Sequence, residues 1–325
     1  MTSFAVPTGS PGARILGIGS YQPETIVSNH DLARTMDTSD QWIRERVGIV
    51  NRRFAKPDEK LVDMAVEAGA KAVADAGLAP TDIGAVLVAT CTMPSQIPNA
   101  AAQVADRIGV TGAPAFDLNA ACAGFCYALA MASDLVRAGT ARHVLVIGAE
   151  KLTDWVDPVD RSTAIIFADG AGAAVVGPSD TAAIGAVAWG SAGDLVDMIQ
   201  IPDRHSFVHQ EGQSVFRWAT TQIAPIALRA VELAGIEVSD VDVFVPHQAN
   251  LRIVEAIAKR LHAKGAREDL VIARDIVDSG NTSSASIPLA LDHMRAAGEV
   301  RSGDVALLVG FGAGLSYAGQ VVRLP

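Results

Sequence analysis

Apolar residues follow two alternating rhythms along the chain. Residues 61–76 and 99–108 place them at helical spacing, whereas 84–90 (GAVLVAT) and 114–118 (PAFDL) are short, nearly continuous apolar runs bounded by Gly, Pro and Asp. Runs that are apolar on both faces predict strands buried between helices, so the pattern reads as α/β. A strand over APAFDLNA and an amphipathic helix over AGFCYALAMASDLVRAG, closed by Gly139, are predicted around position 122.

The pattern also repeats. DAGLAPTDIGAVLVAT (75–90) and LAGIEVSDVDVFVPH (233–247) both run from a helix end through Ala-Gly and an Asp into an apolar strand. HVLVIGAE (143–150) and VALLVGFGAG (305–314) both close a strand on a glycine, Gly148 and Gly310. Two pseudo-equivalent halves, 1–180 and 181–325, are expected, with the division after the strand that ends in Gly177.

Composition narrows the function. With 325 residues, 50% of them hydrophobic and 29 of them glycine, the chain can fill one large core or two modest ones with small contact residues. A net charge of −10 argues against nucleic-acid binding, which needs a basic footprint. No apolar stretch of membrane-spanning length and no signal-like start appears, so a cytoplasmic protein without membrane contact is expected. Three cysteines, an odd number without paired ligand spacing, fit a reducing compartment and no metal site.

The chemistry-bearing candidates lie at predicted element ends. Cys122 falls at a strand-to-helix turn, where free N–H groups and the helix dipole would favour thiolate; its position alone leaves open a buried packing role. Cys126 and Cys91 read as core residues. His247 ends the strand VDVFV, at the edge where α/β sheets place ligands, and otherwise caps local backbone. Asn281, in DSGNTSSASIPLAL, reads equally as a turn and helix cap. The glycines of GFGAGLSYAG (310–319) bring backbone N–H groups close to a substrate oxygen or simply make a tight turn. ADGAGAAVVG (168–177) lacks the GK[ST] of a phosphate loop and leads into a strand.

NAACAGF (119–125), VPHQAN (245–250) and GNTSSASIP (280–288), in that order, resemble the three active-site motifs of the ketoacyl-[acyl-carrier-protein] synthase III family. The likeness runs from RILGIGSYQPE (14–24) through SDQWIRERVGI (39–49) to GFGAGLSYAG. It implies the thiolase-like fold, two duplicated halves in five αβαβα layers, usually as a homodimer.

It also implies a reaction: condensation of an acyl-CoA primer with malonyl-acyl-carrier protein, starting fatty acid synthesis or priming a polyketide pathway. CoA thioester is then a substrate, and no cofactor is implied. By the same resemblance Cys122 is the nucleophile, His247 and Asn281 serve decarboxylation, and the Cys122 and Ala313 N–H groups form the oxyanion hole. Trp42, Arg46, Arg161 and Asn250 would hold CoA, while Gln213 stands where some relatives carry asparagine.

Ile97, Leu152 and Phe167 would line the acyl pocket. Relatives specific for acetyl primers tend to carry phenylalanine at the position of Ile97, across the dimer interface, so a roomier pocket taking branched or longer primers is expected. Arg217, Arg252, Lys259 and Arg260 would dock the carrier protein, although Glu255 between Arg252 and Lys259 equally predicts a solvated salt-bridged face. An acyltransferase that does not condense would keep Cys122 but often alters the histidine or asparagine. A Cys-His-Asn hydrolase would cleave peptides without releasing carbon dioxide, and a non-catalytic partner subunit would be expected to have lost Cys122.

Overall fold

The computed structural model describes residues 4, 5 and 7–325. Ten strands form two five-stranded mixed sheets. The first takes β1 (Gly12–Tyr21), β2 (Ala85–Ala89), β3 (Ala115–Leu118), β4 (Val144–Lys151) and β5 (Asp169–Ser179), in the order β1-β5-β4-β2-β3. The second takes β6 (Ala188–Ser191), β7 (Val243–Pro246), β8 (Val271–Ile272), β9 (Val305–Gly312) and β10 (Ser316–Arg323), in the order β6-β10-β9-β7-β8. The two orders coincide position by position. So do the directions: the first two pairings in each order are antiparallel and the last two, made by β2 or β7, parallel. This is the duplication that the sequence repeat announces.

The helices repeat too. α1 (Leu61–Asp75), α2 (Ala100–Ile108) and α3 (Gly124–Arg137) follow β1, β2 and β3; α4 (Gly212–Leu233), α5 (Leu251–His262) and α6 (Ser286–Ala296) follow β6, β7 and β8. Helices α1 and α2 cover the outer face of the first sheet and α4 and α5 that of the second, while α3 and α6 lie between the sheets and touch both. The result is five layers, αβαβα. Strand β2 is buried on both faces, as its apolar run requires.

Small residues set the layer spacing. Helix α1 turns Ala65, Ala68, Gly69 and Ala72 inward, and β1 answers with Gly17 and Gly19. A Cβ on Gly17 would stand 2.4 Å from Ala76 N, and one on Gly19 would stand 2.5 Å from Ala72 N. The helix backbone therefore rests directly on the strand. The glycine-rich 168–177 stretch is itself most of β5.

Candidate active site

Each central helix is entered through the same backbone device. Ala121 (φ 44°) and Ser283 (φ 49°) are the only non-glycine residues with positive φ among the described residues. Each opens a single 3-10 turn, Ala121–Ala123 or Ser283–Ala285, that runs into α3 or α6. Such strain costs roughly 1–3 kcal/mol and persists where the surroundings over-determine it. Cys122 thus stands at the first elbow and Ser284 at the second.

The elbows cross the sheets of the opposite halves at glycines. A Cβ on Gly310 of β9 would lie 3.0 Å from Ala123 Cα, and one on Gly148 of β4 would lie 2.3 Å from the Ser284 carbonyl oxygen. Two residues further along β9, a Cβ on Gly312 would fall 2.9 Å from Cys122 Sγ. Any side chain there would take the sulfur's space.

Cys122, His247, Asn281 and Ala313 all line one cavity of about 1620 Å³. His247 follows β7 and is buried at 2% exposure, and burial pushes its pKa down to about 3, so the ring is neutral. Its Nδ1 lies 2.7 Å from Ser286 Oγ, and its ring meets Phe311 edge-on at 5.3 Å. Asn281 is held through its backbone, which bridges Phe167: its N–H donates to the Ile166 carbonyl and its carbonyl accepts from Ala168 N–H. Its Oδ1 accepts from Ser283 N–H at 2.8 Å, which fixes the amide with Nδ2 as the remaining donor. Asn281 is therefore a turn residue rather than the cap of α6, whose N-cap is Ala285.

Two expectations need correction. The thiol of Cys122 is not biased toward thiolate: burial pushes its pKa up to about 12, and the Glu150 carboxylate adds to this against opposing hydrogen bonds from Ser283 and its own N–H. Desolvation is the largest of these influences, and with the pKa so raised the sulfur carries its proton at neutral pH. Cys91 is not a core residue. It lines the cavity, and its Sγ lies 3.4 Å from Glu150 Oε1 and 3.9 Å from Ser283 Oγ. Its thiol too is pushed well above the ordinary value by burial and then by Glu150. Cys126 does pack, fully buried.

Glu150 is the buried charge beside the site that sequence reasoning missed. Fully buried at the end of β4, it accepts from the hydroxyls of Thr90 (3.1 Å), Thr92 (2.5 Å), Ser283 (3.0 Å) and Ser284 (2.8 Å) and from Cys91 N–H. It ties the Asn281 turn of one half to the first sheet of the other. The available signal was an acidic residue directly closing the apolar run HVLVIGA. Trp155, which donates from Nε1 to the Thr92 carbonyl, and Ile199, Gln200 and Gln210 of a small antiparallel strand pair also line the cavity without having been singled out.

At the mouth stand Trp42, Arg46 and Arg161. The Arg161 guanidinium lies 4.7 Å and that of Arg46 5.3 Å from the Trp42 ring centroid, and Arg161 also donates to the Asp37 carbonyl at 2.9 Å. Asn250 lines the cavity, but its Oδ1 caps α5 by accepting Arg252 N–H and its Nδ2 donates to the Arg46 carbonyl. Gln213 lines the cavity as well. Leu152 and Phe167 are buried on the cavity wall, and Ile97 on its rim is 87% exposed.

Arg217 and Arg252 reach the cavity mouth, whereas Lys259 and Arg260 lie exposed further along α5. Glu255 pairs with Arg274 at 4.0 Å rather than with Arg252 or Lys259, so the salt-bridged face expected as an alternative is not formed. Arg252 instead stacks on Phe216. Among the described residues no helix is long and apolar enough to cross a membrane, and no cluster of metal-ligating side chains occurs.

Residues 116–193 match the family described as 3-oxoacyl-[acyl-carrier-protein (ACP)] synthase III, and 231–324 match its C-terminal part. The chain is 52% identical over 317 residues to beta-ketoacyl-[acyl-carrier-protein] synthase III 4 of Streptomyces coelicolor, covering 97% of this chain and 99% of that protein. The chain belongs to the 3-oxoacyl-[acyl-carrier-protein] synthase III family. A synthase III of Streptomyces glaucescens is 47% identical over the full length of both chains. Among solved structures, the priming beta-ketosynthase of the R1128 polyketide pathway superposes with TM-score 0.95 at 44% identity, covering 100% of this chain and 99% of that one. Synthase III of Pseudomonas aeruginosa superposes at 0.90 and 40%, covering 97% and 98%.

Proposed function

We propose that the protein is a beta-ketoacyl-[acyl-carrier-protein] synthase III that joins an acyl-CoA primer to malonyl-acyl-carrier protein, releasing CoA and carbon dioxide. The observation that carries this reading is the meeting of Cys122, His247 and Asn281, from three separate elements, on one cavity whose polar groups are oriented by their own partners.

In the first step Cys122 Sγ attacks the primer's thioester carbonyl. The bond to the CoA sulfur breaks, and that sulfur takes the thiol proton, so a protonated resting Cys122 balances the exchange. In the second step the malonyl group loses carbon dioxide, and the electron pair moves to the thioester oxygen, held by His247 and Asn281 Nδ2–H. The enolate carbon then attacks the acyl-Cys122 carbonyl. The oxyanion forms against the N–H groups of Cys122 and Ala313, and its collapse breaks the carbon–sulfur bond; Cys122 regains a proton from solvent.

Trp42 and Arg161 would hold the adenine by stacking and Arg46 the phosphates, with Asn250 leaving one amide N–H for the pantetheine arm. Arg252 and Lys259, which form no ion pair among the described residues, suit an acidic carrier protein together with Arg217 and Arg260. A homodimer would cover the exposed Ile97, the two halves would divide near residue 180, and the free thiols suit the cytoplasm. Priming of a polyketide pathway is the second reading, favoured by the superposition on the R1128 enzyme.

Purified protein incubated with a panel of acyl-CoAs and malonyl carrier protein should release carbon dioxide and 3-oxoacyl product, and Cys122→Ala should not. Absence of acyl-enzyme with every primer overturns the reading. With isoleucine rather than phenylalanine at position 97, isobutyryl- or butyryl-CoA should outpace acetyl-CoA; equal or faster acetyl turnover counts against that primer class.

A further inference from the structure

His247 reaches the cavity through one ring nitrogen, and whether that nitrogen carries a hydrogen decides whether it is a donor or a base. The other nitrogen, Nδ1, faces Ser286 Oγ at 2.7 Å. The same oxygen accepts a hydrogen bond from Gln248 N–H at 3.3 Å. All three residues are almost fully buried, at 2% exposure for His247 and Ser286 and 0% for Gln248. Among the described residues Ser286 Oγ has no other partner within hydrogen-bond distance.

A serine hydroxyl offers one hydrogen and two lone pairs. Gln248 N–H occupies one lone pair. If Nδ1 also donated, the hydroxyl's own hydrogen would be buried without an acceptor, an arrangement native structures avoid. If the hydroxyl donates to Nδ1, every group is satisfied. We infer that Ser286 is a positioning residue that locks His247 in the tautomer carrying its hydrogen on Nε2, so that the ring presents a donor rather than a base to the cavity. The inference rests on the proposed reading, in which His247 holds the enolate oxygen.

Ser286 occupies the first position of α6, next to the second elbow, so the helix that follows the Asn281 turn also sets the histidine. Asn281 is oriented from the same segment through Ser283 N–H, two residues away. The two donors facing the enolate are thereby registered to each other by six residues of backbone, 281–286.

The test separates tautomer from turnover. In protein labelled with 15N-histidine, the His247 signals, assigned by their loss in His247→Gln, should show a hydrogen on Nε2 and none on Nδ1. Ser286→Ala should move them toward the averaged shifts of two exchanging tautomers. The same variant should acylate Cys122 within about twofold of the parent but release carbon dioxide on the order of ten- to a hundredfold more slowly, less than the ~10²–10³ lost with an oxyanion donor itself. Ser286→Thr, which keeps the hydroxyl, should restore most of that rate.

Parent protein with the hydrogen on Nδ1 overturns the inference, as does unchanged decarboxylation in Ser286→Ala. Equal loss of acylation and decarboxylation, without rescue by threonine, also overturns it. If the parent releases no carbon dioxide while its His247 signals behave as stated, the proposed function fails and the tautomer assignment stands.

Discussion

The two elbows share a backbone and differ in what faces them. Cys122 and Ser284 each follow a positive-φ residue, each sit in the middle of a 3-10 turn into a central helix, and each lie where the chain crosses a glycine of the other half. Opposite Cys122 stands Gly312, whose missing side chain leaves the sulfur room on the cavity. At the same register of the other half stands Glu150, which fills that room and bonds Ser284. One copy of the device opens onto the cavity and the other is a strut. The elbow itself does not decide this; the space and the partners around it do.

The sharpest way to break this comparison is to add a methyl group at Gly148, where the second elbow crosses, and at Gly312, opposite Cys122. Gly148→Ala would drive a Cβ to 2.3 Å from the Ser284 carbonyl oxygen and 2.7 Å from its carbon, both backbone atoms. It should cost about 3 kcal/mol or more, read as a fall in the denaturation midpoint. Gly312→Ala meets the Cys122 side chain first, at 2.7 Å from Cβ and 2.9 Å from Sγ, with the Cys122 backbone N at 3.1 Å, and should cost less stability than Gly148→Ala while abolishing the acyl-enzyme mass shift. Equal stability loss in both variants would show the elbows to be alike after all.

Glu150→Gln comes next. Its amide would turn N–H groups toward donors that now share a carboxylate, and a loss of about 2 kcal/mol is expected, with Cys122 still open to acylation. Ser284→Ala removes one hydroxyl whose single hydrogen is shared between Glu150 and the Ala89 carbonyl, for about 1 kcal/mol in the same denaturation measurement. No change in turnover of the acylation step should accompany it.

The effect that is smallest at neutral pH concerns the strand ends before the elbows. The second half carries His247 where the first carries the buried Ala89. The folded pKa of His247 is lowered to about 3 from 6.5, so between those values the unfolded chain binds a proton that the folded chain does not. Stability should therefore fall as pH drops through that window and be unaffected above it. His247→Gln should flatten this acid limb in denaturation curves, and an unchanged slope would mean that the ring is not buried neutral.

Much of this was legible in the sequence, for a physical reason. Layered helices and doubly buried strands write themselves as apolar runs, and the repeats at Ala76 and Ala234 and at Gly148 and Gly310 mark matching helix ends and sheet crossings. Cys122, His247 and Asn281 stood in motifs at element ends. What was hidden depends on contacts across the halves. Cys91 looks like the end of a core strand because nothing local tells that Glu150 and Ser283, 59 and 192 residues away, gather beside it. The protonation of Cys122 was equally hidden, since helix-start chemistry is local and desolvation belongs to the assembled cavity.

The reciprocal crossing also limits how such a protein can change. Gly148 accommodates a turn encoded after residue 280, and Gly310 accommodates one encoded before residue 125. A chimaera built by exchanging one half with that of a distant relative would inherit a groove cut for someone else's turn. Substitutions on either side of the crossing should be tolerated only in matched pairs, which leaves the two copies free to differ in chemistry but ties them together in shape.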